Sequence, residues 1–219
     1  MTEVVAARRP IKARDSKWAA QVASFLARCG IKPNVISVFS AIFAGLGGLA
    51  LALSQRVPAW GGAALFVAAA ICIQLRLLCN LFDGMVAIEG GFKTKSGEVY
   101  NELPDRFADV FVLVGAGYAA CAFSCGPSLG WLAAVLALGT AYVRALGASA
   151  GAGQCFLGPM AKQHRMAVMT VASLLSAILV FWGFSGFVML VALAVVVAGA
   201  AITIIRRACW VVRALEARP

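Results

Sequence analysis

The chain has 219 residues, 62% of them apolar and 13% charged, about half the charge density of an ordinary soluble domain. Too few polar side chains are present to cover a water-facing globule of this length, so a cytosolic globule, a disordered tail and a nucleic-acid module are excluded. With a mean hydropathy of +0.90, the sequence reads as an integral membrane protein.

Residues 1–34 carry seven basic side chains and no uninterrupted apolar core before a cleavage site, so they do not read as a secretory signal. Within them, 16–29 has the pattern of an amphipathic helix. Trp18, Val22, Phe25, Leu26 and Cys29 recur at helical spacing, with Lys17 and Arg28 placed to meet anionic headgroups. An interfacial membrane anchor is the preferred reading over a substrate gate. Charge-free runs then mark the spans. Residues 35–55 form the first, long enough for the ~30 Å hydrocarbon core, and 57–75 form the second, continuing to Asp83. The 34 uncharged residues of 110–143 are too many for one helix, and Gly126-Pro127 divides them into a third and a fourth span. The 40 residues of 166–205 divide at 183–186 into a fifth and a sixth.

Orientation follows from lysine and arginine, in a chain of net charge +10. Segments 1–34, 84–106, 144–165 and 206–219 hold 17 basic residues, Arg76 is an eighteenth, and the opposite turns contribute only Arg56. That imbalance puts both termini and the long loops in the cytosol. The expected architecture is an all-α membrane protein of the cell (inner) membrane. It comprises a cytosolic N-terminal segment with an interfacial helix (1–34), six transmembrane helices (35–205) and a basic cytosolic tail (206–219). Seven cysteines show no CxxC pair, and Cys121 and Cys125, one turn apart, have no His or third Cys beside them. All seven read as small buried hydrophobes.

Six of the nine acids fall between positions 83 and 109: Asp83, Glu89, Glu98, Glu102, Asp105 and Asp109. Acids at the ends of membrane spans are costly and mark function. Arg76, Asn80, Asp83 and Ala87 step by four, three and four, so they share a helix face; Glu98, Glu102, Asp105 and Asp109 do the same if their helix extends back into the loop. Two antiparallel helices joined on the cytosolic side then bring Asn80 and Asp83 opposite Asp105 and Asp109. Converging carboxylates repel unless a cation lies between them. Without His or Cys nearby, the hard oxygens favour Mg2+, Mn2+ or Ca2+ over zinc. Gly84 and Ala87 leave room for a ligand backbone or nucleotide. Helix capping and a solvated loop face account for Glu89, Glu98 and Glu102, but not for Asp83, Asp105 and Asp109.

Further along, Lys162-Gln163-His164-Arg165 opens the fifth span on the cytosolic side. Lys162 and Arg165 are either positive-inside anchors or part of the site, and His164 reads as a solvated loop side chain. Arg144 interrupts an otherwise apolar helix. Gly147 and Gly151 allow close helix packing.

The run Asn80-Leu-Phe-Asp83-Gly84-Met-Val-Ala87-Ile88, followed by Gly97 and Asn101-Glu-Leu-Pro-Asp105-Arg106-Phe-Ala-Asp109, resembles the signature of the CDP-alcohol phosphotransferases (CDP-alcohol phosphatidyltransferases) of phospholipid synthesis. That signature reads D-x2-D-G-x2-A-R and then G-x3-D-x3-D. Lys32-Pro33-Asn34-Val35-Ile36-Ser37 also looks like the family's Pro-Asn-x-hydrophobic-Ser/Thr start of the first span. Asn80 stands where the first Asp belongs, and Ile88 where a nucleotide-binding Arg belongs. The last pair maps onto Asp105 and Asp109 with one extra helical turn, or onto Asn101 and Asp105 without it.

The resemblance implies a six-helix catalytic domain with a two-metal Mg2+ or Mn2+ site facing the cytosol. Asp83, Asp105 and Asp109 would be metal ligands, with Asn80 offering an amide oxygen, and Asp109 would also be the general base. Asn80, Gly84 and Ala87 would line the nucleotide, with Arg76 or Arg106 replacing the missing Arg. Arg144, Lys162 and Arg165 would bind a charged acceptor. The implied reaction passes a phosphatidyl group from a CDP-linked lipid, CDP-diacylglycerol by preference, to an alcohol or phosphorylated alcohol, releasing CMP. A homodimer is implied as well. The alternatives are a relative without catalysis, acting as a membrane partner or scaffold, and a small ion-coupled transporter. Transport sites tend to lie near the bilayer midplane at broken helices, whereas these acids lie at helix ends. No internal repeat supports a repeat-built transporter.

Overall fold

The computed structural model describes residues 16–91 and 97–217. Outside them lie the N-terminal stretch 1–15 with Glu3 and Asp15, the loop 92–96, and the last two residues of the basic tail. Among the described residues the chain is helical, with no strand. Its elements are α1 (Lys17–Arg28), α2 (Pro33–Leu53), α3 (Ala59–Glu89), α4 (Gly97–Ala119), α5 (Gly126–Ser149), α6 (Lys162–Leu179) and α7 (Ser185–Glu216).

The helix starts and stops have local causes. Pro33 opens α2, where its missing N–H costs nothing. Gly126 and Pro127 open α5 at the break the sequence predicts. Between α6 and α7, a single 3-10 turn (Val180–Trp182) ends at Gly183, whose φ of 76° is the left-handed region that favours glycine. Two boundaries differ from expectation. Asp83-Gly84 does not end the second helix, because α3 runs on to Glu89. Met85 and Val86 are buried against α1 and α2, and burying one such side chain outweighs the ~1 kcal/mol cost of a helical glycine. The acidic helix does extend back into the loop, beginning at Gly97 and running through Pro104.

The six long helices close a ring in the order α2, α3, α6, α7, α5, α4 and back to α2. α3 and α4 therefore barely touch, contrary to the expected direct pairing, and α2 packs against both. Glycine explains the closeness of α2 and α4. A methyl added at Gly48 would stand 2.2 Å from the Phe111 carbonyl oxygen, and one added at Gly115 would stand 2.2 Å from the Gly48 carbonyl oxygen. Only bare backbones fit there.

Among the described residues, five helices are long and apolar enough to cross a membrane: α2, α3, α5, α6 with its 3-10 turn, and α7. α4 differs from the apolar third span expected, since Glu102, Asp105, Arg106 and Asp109 crowd its first half. The amphipathic helix forms as α1, but its buried residues are Ala19 and Ala23. Trp18 meets the Phe82 ring edge-on at 5.9 Å and is otherwise half exposed, and Phe25 points outward. Cysteine burial also needs correcting. Cys155 is buried and Cys72 and Cys79 are half-buried, while Cys29, Cys121, Cys125 and Cys209 are exposed.

Candidate active site

Three aspartates, two arginines and a lysine from three helices meet where α3, α4 and α6 face one another. α3 supplies Arg76, Asn80 and Asp83 from successive turns of one face, as the spacing requires. α4 supplies Asp105 and Asp109, and the first turn of α6 supplies Lys162 and Arg165. All three aspartates and both arginines are buried. Charges in such a place persist only when paired and hydrogen-bonded.

The pairing is specific. Asp109 receives Arg76 Nη2 on Oδ1 at 2.7 Å and Arg165 Nη2 on Oδ2 at 2.6 Å. Arg165 also donates through Nη1 to the Met160 carbonyl at 2.9 Å and to Thr140 Oγ1 at 3.2 Å. Asp105 accepts from Lys162 Nζ on Oδ2, and its Oδ1 lies 3.7 Å from Arg76 Nη2. Asp83 Oδ2 accepts from Ser37 Oγ at 2.8 Å, and the Asn80 side-chain oxygen accepts from Ser40 Oγ at 3.0 Å. Asp105 and Lys162 both lie within Coulombic reach of Asp83.

Two buried carboxylate oxygens, Asp83 Oδ1 and Asp105 Oδ1, have no hydrogen-bond partner among the described residues. A buried acceptor left unpaired costs ~1–3 kcal/mol, and a hard cation satisfies it. Magnesium-like ions are commonly held by one or two carboxylates with phosphate or water completing the shell. The residues thus fit one such ion. A second ion on Asp109 would have to share an oxygen with a guanidinium 2.6 or 2.7 Å away, where like charges repel. Among the described residues, no three His, Cys, Asp or Glu side chains converge as a ready-made ligand set.

The other predicted positions divide. Gly84 and Ala87 lie half-buried on the last turns of α3, and Ile88 is exposed beside them. Arg76 lies 12 residues, or about 18 Å of helix, deeper than Ile88, and it is fully buried. It serves Asp109 and does not reach the place of the missing Arg. Arg144 stands apart at the rim, where its Nη2 meets both oxygens of Glu102 at 2.7 and 2.8 Å and its guanidinium covers the Phe156 ring. Arg106 holds the same carboxylate at 2.6 Å. Glu102 is therefore a clamp between α4 and α5, not a solvated loop side chain. His164 is exposed, with Nδ1 at 2.7 Å from the Pro159 carbonyl.

Burial alone would push the Glu102 carboxyl up, but Arg144 and Arg106 outweigh it and hold it below its ordinary value. A depressed folded-state value stabilises the protein above the ordinary carboxyl range and loses that contribution as pH falls through the folded value. Melting curves of wild type and Glu102→Gln should therefore separate at neutral pH and converge in acid, by a modest amount because the carboxylate is partly solvated.

Sequence reasoning named Ser37 only as part of the Pro-Asn-x-hydrophobic-Ser/Thr start and gave no role to Ser40, Thr140 or Arg207; Ser37 and Ser40 orient Asp83 and Asn80. Ser37 and Ser40 are three residues apart in an apolar run and so share a face, a usable signal. Arg207 of α7 donates to the Thr140 and Leu157 carbonyls at 2.6 and 2.8 Å, fixing the chain that leads into Lys162. Nothing local in the sequence marks that contact.

No family model matches the chain. An uncharacterized protein of Aquifex aeolicus (strain VF5) is 28% identical over 130 residues, 58% of this chain and 61% of that protein, so less than two thirds of its length is spanned. Among solved structures, the phosphatidylinositol phosphate synthase (PgsA1) of Mycobacterium tuberculosis with CDP-DAG bound aligns at a TM-score of 0.72 and 21% identity, covering 90% of this chain and 94% of that one. The chain shares that synthase's fold. The same synthase in complex with manganese and citrate aligns at 0.71 and 19% identity, covering 88% of each chain. The helical ring is thus an architecture common to both proteins, and at this identity the role of each side chain rests on its own chemistry.

Proposed function

We propose that this chain is a membrane-embedded CDP-alcohol phosphatidyltransferase, with α4 crossing the bilayer alongside the five apolar helices and the site facing the cytosol. One observation carries the reading. Asp83, Asp105 and Asp109, the aspartates of the resembled signature, come together with Lys162 and Arg165 in one buried cluster, in a fold shared with a synthase that binds CDP-DAG.

In the reaction, the acceptor hydroxyl attacks the β-phosphorus of a CDP-linked lipid. The new P–O bond forms as the bond to the CMP phosphate breaks, and CMP leaves with the electron pair. A divalent ion held by Asp83 and Asp105 would neutralise the pyrophosphate and the charge growing on CMP. Asp109 takes the hydroxyl proton. Each carboxylate oxygen offers two acceptor sites, and each Asp109 oxygen has given one to an arginine, leaving one to meet the hydroxyl. Arg165, locked by Met160, Thr140 and Asp109, positions the base. Lys162 is partly exposed and has donors beyond the one it gives Asp105, so it can also meet a phosphate on the acceptor, which favours a phosphorylated alcohol such as glycerol phosphate or inositol phosphate.

A catalytically inactive relative is the second reading, favoured by Asn80, Ile88 and the double engagement of Asp109. Purified protein given CDP-diacylglycerol, Mg2+ or Mn2+ and pooled alcohol acceptors separates the two. The expected result is acceptor-dependent CMP release that falls by ~10²–10⁴ in Asp109→Ala. Folded wild-type protein releasing no more CMP than the variant would establish the inactive relative instead.

A further inference from the structure

We infer that the Arg76 guanidinium is a built-in cation standing where a second metal ion would otherwise neutralise the acids, so that the centre takes a single divalent cation between Asp83 and Asp105. The inference deepens the transferase reading and rests on it only for the presence of a cation site.

The oxygen inventory supports it. Asp109 gives Oδ1 to Arg76 and Oδ2 to Arg165, Asp105 gives Oδ2 to Lys162, and Asp83 gives Oδ2 to Ser37. The Asn80 oxygen is taken by Ser40. Asp83 Oδ1 and Asp105 Oδ1 remain, both buried and without a hydrogen bond, with Arg76 Nη2 3.7 Å from Asp105 Oδ1. Two open carboxylate oxygens anchor one hard cation whose remaining ligands come from water or phosphate. A second ion on Asp109 would share an oxygen with a guanidinium and be repelled by it, whereas a neutral hydroxyl can use the remaining acceptor site.

Charge supports it independently. Two of the three buried carboxylates, Asp105 and Asp109, already pair with Arg76, Lys162 and Arg165. Asn80 carries no charge where the resembled signature has a carboxylate, and Arg76 adds a positive charge one turn below it on the same face. One carboxylate fewer and a guanidinium close by leave less negative charge for a second ion to neutralise. The position of Arg76 also suits the role. Its Nη2 lies 2.7 Å from Asp109 Oδ1, 3.4 Å from the Asp105 carbonyl and 3.7 Å from Asp105 Oδ1, so one cation faces both acids. Arg76 is accordingly a positioning residue for Asp109.

The test counts ions and needs no turnover. Full-length protein in detergent is titrated with Mn2+ alone, and bound ion is counted from the loss of the free-ion electron paramagnetic resonance signal. Wild type should hold one Mn2+ per chain, and Asp83→Asn none. Asn80→Asp should still hold one, because the new carboxylate pairs with Arg76. Asn80→Asp with Arg76→Gln should hold two. Two ions on wild type, two on Asn80→Asp alone, or none on wild type would each overturn the inference. Should the double variant fail to fold, the wild-type and Asn80→Asp counts still decide. Absence of CMP release leaves these counts unchanged, so the two readings fail separately.

Discussion

Arg165→Ala lowers the stability of the purified protein by about 3–5 kcal/mol, the usual cost of removing one partner of a buried ion pair. Arg165 is 1% exposed and holds Asp109 Oδ2 at 2.6 Å. Its loss leaves a carboxylate oxygen charged, dry and unpaired, and strips the Met160 carbonyl of its donor. Arg76 still neutralises Oδ1, which puts the effect at the lower end of that range. Arg165→Ala combined with Asp109→Ala should cost less than the sum of the single variants, since the stranded charge is gone; residues in direct contact show coupling of ~0.5–3 kcal/mol. Unfolding in detergent by heat or denaturant measures all four proteins. Strict additivity would mean that water reaches Asp109 and that the pair is a surface ion pair in energetic terms.

The second large effect is a reversal of sign between two glycines on one helix. Gly48→Ala places a methyl 2.2 Å from the Phe111 carbonyl oxygen. The obstacle is backbone, which has no rotamer to escape into, so α2 and α4 must part. Overpacking of this kind costs ~1–3 kcal/mol or more, and Gly115→Ala meets the Gly48 backbone in the same way. Gly45→Ala, one turn earlier, meets only the Phe111 ring edge at 3.8 Å, an ordinary contact. It should be neutral or stabilising by ~0.4–1 kcal/mol, from the reduced entropy of the unfolded chain. Gly48→Ala should also weaken Mn2+ binding, because Asp105 and Asp109 ride on the displaced α4 while Asp83 is tied to α2 through Ser37. Equal melting temperatures for Gly45→Ala and Gly48→Ala would rule out the close α2–α4 approach.

Much of the outline was legible from residues alone, because it depends on local rules. Apolar length marked the helices, and Gly126-Pro127 and Gly183 marked breaks that propensity explains. The spacing of Arg76, Asn80 and Asp83, and of Glu102, Asp105 and Asp109, reported shared faces, since helix geometry is the same wherever the helix lies. Local rules failed where burial overrode them. Gly84 reads as a helix end, yet Met85 and Val86 gain enough against α1 and α2 to carry α3 to Glu89.

The sequence by itself therefore determined a membrane-embedded, helical chain with its acids gathered on two helix faces. Which cation answers which acid was decided only by the tertiary structure. α2 separates α3 from α4 because Gly48 and Gly115 let two backbones meet, and the gap so created is spanned by Arg76 from one side and by Arg165 and Lys162 of α6 from another. Arg165 lies 56 residues from Asp109, and at that separation pairing follows the order of helices around the ring. Desolvation then makes the pairing specific: a buried carboxylate must be met by a charge, and the packing determines which one arrives.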